Sequence, residues 1–195
     1  MIRNELRIIA GKWRGRKIQF PTVAGLRPTP NRIRETLFNW LAPYIHDARC
    51  LDLFTGSGSL GFESLSRGAA YVLCLEKNRE AYEMLRKNAE HLKADAMEIQ
   101  EKDALVWLTE HLPQPLKLTT PFDIIFVDPP YALKALPKCF ALLENQTWFT
   151  INTLIYFESD VPIELLTLPD TWEILKKKKA GSVYYYLTQK TRIHD

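Results

Sequence analysis

The chain reads as an α/β protein: a mainly parallel seven-stranded sheet covered on both faces and finished by a C-terminal antiparallel hairpin, with a basic N-terminal hairpin and helix in front. Three observations predict this. From residue 48 onward, apolar runs of strand length alternate with stretches of helical spacing, the pattern of parallel crossover units. The first of these strands runs directly into a glycine-rich turn that opens a helix. The last two runs, Trp172–Lys178 and Ser182–Gln189, meet around Ala180-Gly181 with no helix between them, so they pair as a hairpin.

Taken in order, Leu6-Arg7-Ile8-Ile9 and Lys17-Ile18-Gln19-Phe20 alternate apolar and polar residues on either side of Gly11 and Gly15, which predicts a small hairpin. Leu26 to Asn31 is rich in turn and cap residues. Thr29 or Asn31 is expected to cap a helix to about Leu41, with Ile33, Leu37, Phe38 and Leu41 on one face. Strands are then expected at Arg49–Phe54, Tyr71–Glu76, Met97–Glu101, Phe122–Val127 and Thr153–Glu158. Helices fill the gaps at Ser59–Ser66, Asn78–Leu92, Ala104–Glu110 and Lys134–Leu143.

With 195 residues and 46% hydrophobic content, the chain can bury a substantial core. Residues 1–46 read as an extension and 47–195 as the main domain. No apolar run reaches membrane-spanning length, and Arg3, Arg7 and Lys12 interrupt any signal core, so a cytoplasmic monomer is expected. Cys50, Cys74 and Cys139 lack paired spacing, and His46, His91, His111 and His194 are scattered, so neither a disulfide nor a metal site is expected.

Charge is segregated. Residues 1–34 hold nine Lys and Arg against the single acid Glu5, a net of +8, which leaves −5 for the remainder of a chain whose total is +3. Arg7, Lys12, Arg14, Arg16, Lys17, Arg27, Arg32 and Arg34 are therefore candidate phosphate contacts. A charge cluster by itself is more often only a solvated face. Arg27, Arg32 and Arg34 also fall near a helix start, where they oppose the dipole, and this points to an anionic ligand. Lys176 to Lys179 read equally well as a basic rim or as the lysine guard of an edge strand.

Two motifs carry chemistry. In Asp52-Leu53-Phe54-Thr55-Gly56-Ser57-Gly58-Ser59-Leu60-Gly61 the glycines let backbone approach a ligand at a helix N-terminus, and Glu76 ends the next strand where a ribose-binding acid belongs. The second motif, Asp128-Pro129-Pro130-Tyr131, closes a buried strand. Its prolines stiffen the turn and donate no hydrogen bond, so it presents acceptors beside a ring, which suits a planar amino group. An ordinary strand-to-loop turn fits Asp-Pro-Pro alone equally well.

Asp52 with Phe54-Thr55-Gly56-Ser57-Gly58, then Glu76, Asp103-Ala104 and Asp128-Pro129-Pro130-Tyr131, resembles the ordered motifs of S-adenosylmethionine-dependent methyltransferases that modify an exocyclic amino group. With Arg14-Gly15-Arg16 and the run Arg27 to Leu41, the whole chain resembles the RsmD type, the bacterial small-subunit (16S) ribosomal RNA guanine-N2 methyltransferases. Asn31 stands where Asp is more usual in that pattern.

The resemblance implies a Rossmann-like methyltransferase fold, S-adenosylmethionine as cofactor, and small-subunit ribosomal RNA or an assembling 30S particle as partner. It implies cofactor contacts from Asp52, Phe54, Thr55, Gly56, Ser57, Gly58, Glu76, Lys77, Asp103, Ala104 and Asp128. Glu76 would take the ribose hydroxyls, Asp103 the adenine amino group and Asp52 the ammonium. It implies a catalytic set of Asp128, Pro129, Pro130 and Tyr131, with Tyr131 stacking on the base. An adenine-N6 methyltransferase shares that tetrad. A nicotinamide-dependent dehydrogenase accounts for the glycine loop and Glu76 only, and a noncatalytic RNA-binding protein for the basic arm only.

Overall fold

The computed structural model describes residues 3–110, 121–130, 134–146 and 148–191. A two-stranded antiparallel ribbon comes first, β1 (Arg3–Arg7) with β2 (Lys17–Pro21), followed by helix α1 (Asn31–Leu41). Then come β3 (Arg49–Asp52), α2 (Ser59–Ser66), β4 (Tyr71–Leu75), α3 (Arg79–Leu92), β5 (Met97–Gln100), α4 (Ala104–Glu110), β6 (Ile124–Val127), α5 (Leu136–Glu144) and β7 (Leu154–Ser159). The chain closes with β8 (Trp172–Ala180) and β9 (Val183–Lys190).

Seven strands form one sheet in the order β5-β4-β3-β6-β7-β9-β8. The first five are parallel to their neighbours, whereas β9 pairs antiparallel with both β7 and β8. The central strand β6 is buried along its whole length, because an all-apolar Ile124-Ile125-Phe126-Val127 is what a strand covered on both faces requires. On one face lie α1, α2, α3 and the N-terminal ribbon; on the other lie α4 and α5. The chain steps outward from β3 to β4 and β5, then returns past β3 to β6. The topological switch point therefore falls between β3 and β6, where such sheets bind ligands beyond the carboxyl ends of the strands.

The expected elements are present with most ends shifted by a residue or two; the first ribbon strand begins three residues before Leu6 and ends at Arg7, and β8 extends to Ala180 with a register shift between Ile174 and Lys176. One local expectation fails. Neither Thr29 nor Asn31 caps α1: Pro30 holds the N-cap position, Thr29 is buried, and the Asn31 Oδ1 accepts from Arg34 Nη2 at 2.6 Å.

The ribbon is bound firmly to the main sheet. Leu6, Ile8, Trp13, Ile18 and Phe20 belong to the same apolar cluster as Leu37, Phe62 and Phe126. The turn between β1 and β2 lies against the end of α2. There Lys12 N–H donates to Ser66 O at 2.7 Å, and a Cβ on Gly11 would sit 1.7 Å from that same oxygen. Glu63 is fully buried in α2 and accepts the backbone N–H groups of Ile9 (2.8 Å) and Ala10 (3.1 Å), as well as Arg67 Nε (2.7 Å). Arg34, 1% exposed, brings Nη1 to 3.5 Å from Glu63 and donates from Nη2 to Arg7 O at 3.0 Å.

Removing one partner of a buried pair leaves the other uncompensated. Glu63→Ala is therefore expected to lower unfolding free energy by about 3–5 kcal/mol in urea titrations, with the Arg67 contact contributing least because it is nearer solvent.

Candidate active site

The carboxyl ends of β3, β4 and β6 lie side by side, and the expected site residues gather there. Asp52 ends β3 in register with Cys74 of β4 and Phe126 of β6, Glu76 follows β4, and Asp128 follows β6. Beyond β3 the chain turns through Gly56 (φ 53°) and Gly58 (φ 78°), both in the left-handed region that favours glycine. At Gly58 space matters as well. A Cβ there would meet Leu85 Cδ2 at 2.6 Å and Phe62 Cδ2 at 2.7 Å. Gly61 lets α2 close on the sheet, since a Cβ would lie 2.9 Å from Cys74 Sγ.

Glu76 is tied into this loop: Oε2 accepts Gly56 N–H at 2.8 Å and Oε1 accepts Asn78 N–H at 2.7 Å. Each oxygen keeps a further lone-pair site, so a bidentate contact with two ligand hydroxyls fits the geometry. Asn78 in turn caps α3 through Ala81 N–H at 3.0 Å. Asp103 caps α4, with Oδ1 accepting Leu105 N–H at 2.9 Å, while Oδ2 faces Lys77 Nζ at 3.4 Å. The capping role is thus real, and the second oxygen remains directed to the surface beside the half-exposed Lys77. Ala104 and Ser57 are buried, and Phe54 packs against the α4–α5 side of the core.

Asp52 is buried, and burial together with the nearby Glu76 pushes its carboxyl up to about 7, partly offset by the backbone N–H groups of Phe54 and Gly61. Asp128 is raised well above the usual carboxylate range by burial, by Glu158 and by Asp52. Glu158 was not among the expected site residues. Val127 pairs with Phe157, so Asp128 stands level with Glu158 on the neighbouring strand. Tyr156 Oη donates to Glu158 Oε1 at 2.8 Å. The available signal was a lone acid ending an otherwise apolar Leu154 to Phe157 run, two residues from a tyrosine of the same face.

The segment between β2 and α1 also reaches the site, which the sequence pattern did not disclose. A Cβ at Gly25 would lie 4.0 Å from Pro130 Cβ, and one at Gly56 would lie 3.7 Å from Leu26 Cγ. Exposed Arg27 follows directly. Pro129 is buried and Pro130 exposed at the tip; Tyr131 lies outside the described residues.

Of the eight basic residues expected to meet phosphate, Arg7, Lys12, Arg14, Arg16, Lys17, Arg27 and Arg32 are exposed. Arg34 is not. It is enclosed by Glu63, Asn31 and the Arg7 carbonyl, so the negative partner that its place at a helix start demands is a protein carboxylate. Among the described residues no group of three or more His, Cys, Asp or Glu could hold a metal ion, and no helix is long and apolar enough to cross a membrane.

Parallel sheet, antiparallel closing strands, glycine turn and strand-tip acids together define the Rossmann-like methyltransferase class. Comparison with known proteins narrows it. The family described as Conserved hypothetical protein 95 matches residues 6–189, and the chain belongs to it, the RsmD-type family. It is 45% identical over 187 residues to ribosomal RNA small subunit methyltransferase D of Escherichia coli K12, covering 96% of this chain and 91% of that one. The protein of the same name from Haemophilus influenzae is 44% identical over 189 residues, covering 96% and 95%. The solved structure of the putative methyltransferase yhhF from Escherichia coli superposes with a TM-score of 0.83 at 45% identity, covering 96% of this chain and 99% of that one. A putative methyltransferase complexed with SAH, SMU.776, shares the fold alone, with a TM-score of 0.69 at 13% identity and coverage of 96% and 56%.

Two outcomes test this geometry. Gly15 has φ 80° and open space around its Cβ position, so Gly15→Ala should cost only the roughly 1–2 kcal/mol of a left-handed alanine. Gly58→Ala adds the overlap with Leu85 and Phe62 and should lower the melting temperature several times further. For Asp52, folding raises the carboxyl from about 4 to about 7, so between those pH values the folded chain holds the extra proton and stability falls as pH rises. In urea titrations of the ligand-free protein, wild-type stability relative to Asp52→Asn should decline across that window and level off above about pH 7. A flat difference would show the carboxylate ionised throughout.

Proposed function

We propose that the protein transfers a methyl group from S-adenosylmethionine to the exocyclic N2 amino group of a guanine in small-subunit ribosomal RNA, with residues 1–46 serving as the RNA-contacting extension of a cytoplasmic enzyme. The observation that carries this reading is the placement of Asp128 at the switch point, level with the glycine turn and Glu76, with the basic segment around Arg27 lying against Pro130. The relatives named ribosomal RNA small subunit methyltransferase D supply the substrate class.

The residues present fit the cofactor. Glu76 would accept the ribose hydroxyls, the Lys77-paired oxygen of Asp103 the adenine amino group, and the left-handed turn at Gly56 and Gly58 would lie along the methionine part. Asp52, whose ionisation is opposed by its surroundings, would gain most from an ammonium beside it. When bound, the cofactor supplies an electrophilic methyl on a sulfonium.

Guanine N2 is a poor nucleophile because its lone pair is conjugated with the ring. Asp128 and the Pro129 carbonyl accept its hydrogens, orient the lone pair and stabilise positive charge as it develops. Pro129 has no N–H, so the tip presents no competing donor there. Burial and the neighbouring acids raise the Asp128 carboxyl in the ligand-free chain, so a sulfonium cation beside it would favour the carboxylate that accepts the amino hydrogens and then takes the proton released by transfer.

Asp128→Ala should abolish methyl transfer to small subunits from cells lacking the gene, with S-adenosylmethionine affinity by calorimetry within about threefold of wild type, a shift under 1 kcal/mol. Mass spectrometry of ribosomal RNA from those cells should show the loss of one N2-methylguanosine. Loss of an N6-methyladenosine instead would assign the tip to adenine.

A further inference from the structure

We propose that Lys176 and Lys178, on the edge strand β8, form a second contact for the backbone of the substrate RNA on the same face as the catalytic acid, whereas Lys177 and Lys179 do not. This rests on the RNA methyltransferase reading above and extends it to a surface on the far side of the site from the N-terminal arm.

Register places the lysines. Asp128 stands level with Glu158, Glu158 pairs with Tyr185, and Tyr185 pairs with Lys178. Three strand spacings of about 4.8 Å separate the acid from Lys178, roughly 14 Å along one row of the sheet. That span corresponds to a few nucleotides of RNA on either side of a base held at Asp128.

Alternation then divides the four lysines. Lys176 pairs with Leu187 and Lys178 with Tyr185, and both partners belong to the apolar cluster shared with α1 and the N-terminal ribbon. Lys177 pairs with Tyr186 and Lys179 with Tyr184, which belong to the opposite face with α4 and α5. Trp40 of α1 stacks on Tyr185 at 5.4 Å, fixing the extension beside the Lys176–Lys178 face. Lys179 is already engaged, with Nζ donating to Tyr184 Oη at 2.8 Å and lying 4.4 Å from that ring.

All four lysines are exposed, and among the described residues the side chains of Lys176, Lys177 and Lys178 have neither ion-pair nor hydrogen-bond partners. The segment between β2 and α1 reaches the Pro130 tip on the other side, where exposed Arg27 follows Gly25 and Leu26, so positive charge lies on both sides of the site. A phosphate backbone crossing that face would meet cations on each side of the flipped base. Guarding of a sheet edge against aggregation requires lysines without regard to face.

The difference between faces makes the test. Lys176→Glu/Lys178→Glu and Lys177→Glu/Lys179→Glu carry the same charge change on the same strand. Binding of each, and of wild type, is measured to small-subunit ribosomal RNA and to small subunits from cells lacking the gene, over a range of salt. S-adenosylmethionine affinity and thermal melting confirm folding. The first pair should weaken binding to at least one substrate by about tenfold or more and lower the salt slope by one to two contacts, with cofactor affinity unchanged; the second should stay within about twofold of wild type. Equal loss in both pairs, loss only in the second, or loss in neither overturns the inference. If wild-type protein transfers no methyl to either substrate, the functional reading itself fails, and this surface with it.

Discussion

The arrangement of the molecule depends on one buried carboxylate. Glu63 accepts two backbone N–H groups from the chain between the ribbon strands and pairs with the guanidinium groups of Arg34 and Arg67. A carboxylate left in a dry core without such partners would cost several kcal/mol, so this cluster holds the ribbon, α1 and α2 in one relative position. The consequence is felt away from the cluster. With the ribbon and α1 both fixed, the connection between them lies against the glycine turn and the Pro130 tip, and exposed Arg27 follows directly. The N-terminal residues share a core with the sheet and form one wall of the site.

What the sequence disclosed and what it hid follow from the range of the interactions concerned. Buried parallel strands read as continuous apolar runs, so β6 was legible from Ile124 to Val127. Asn78 caps α3 through a bond three residues long, and the glycine turn needs a local backbone geometry, so both could be read from adjacent residues. Arg34 could not. It stands among Arg27 and Arg32 with the same local chemistry, and only a partner 29 positions away, on another helix, removes it from the surface. Glu158 was hidden for a similar reason, because it becomes a neighbour of Asp128 only when β7 pairs with β6. The lysines of β8 were visible as a run, but their division between two faces appears only with the register of β9.

The carboxylates at the strand ends form a costly group whose cost fits its chemistry. Burial and Glu76 oppose the ionisation of Asp52, while burial, Glu158 on the next strand and Asp52 oppose that of Asp128. Tyr156 donates to Glu158, which favours its ionised form and so maintains its pressure on Asp128. Positive charge brought to this edge favours the ionised acids, since it offsets the repulsion that raised them. In the proposed transfer, an amino group that becomes cationic as it accepts a methyl would strengthen its contact with Asp128 during the reaction itself. That interaction would be larger in the transition state than in the ground state, which is the condition for it to accelerate the step. An ordinary surface aspartate would hold the same amino group in place and yet remain a weak base. In the proposed transfer the neighbouring acids, gathered by strand order, would make Asp128 the stronger proton acceptor.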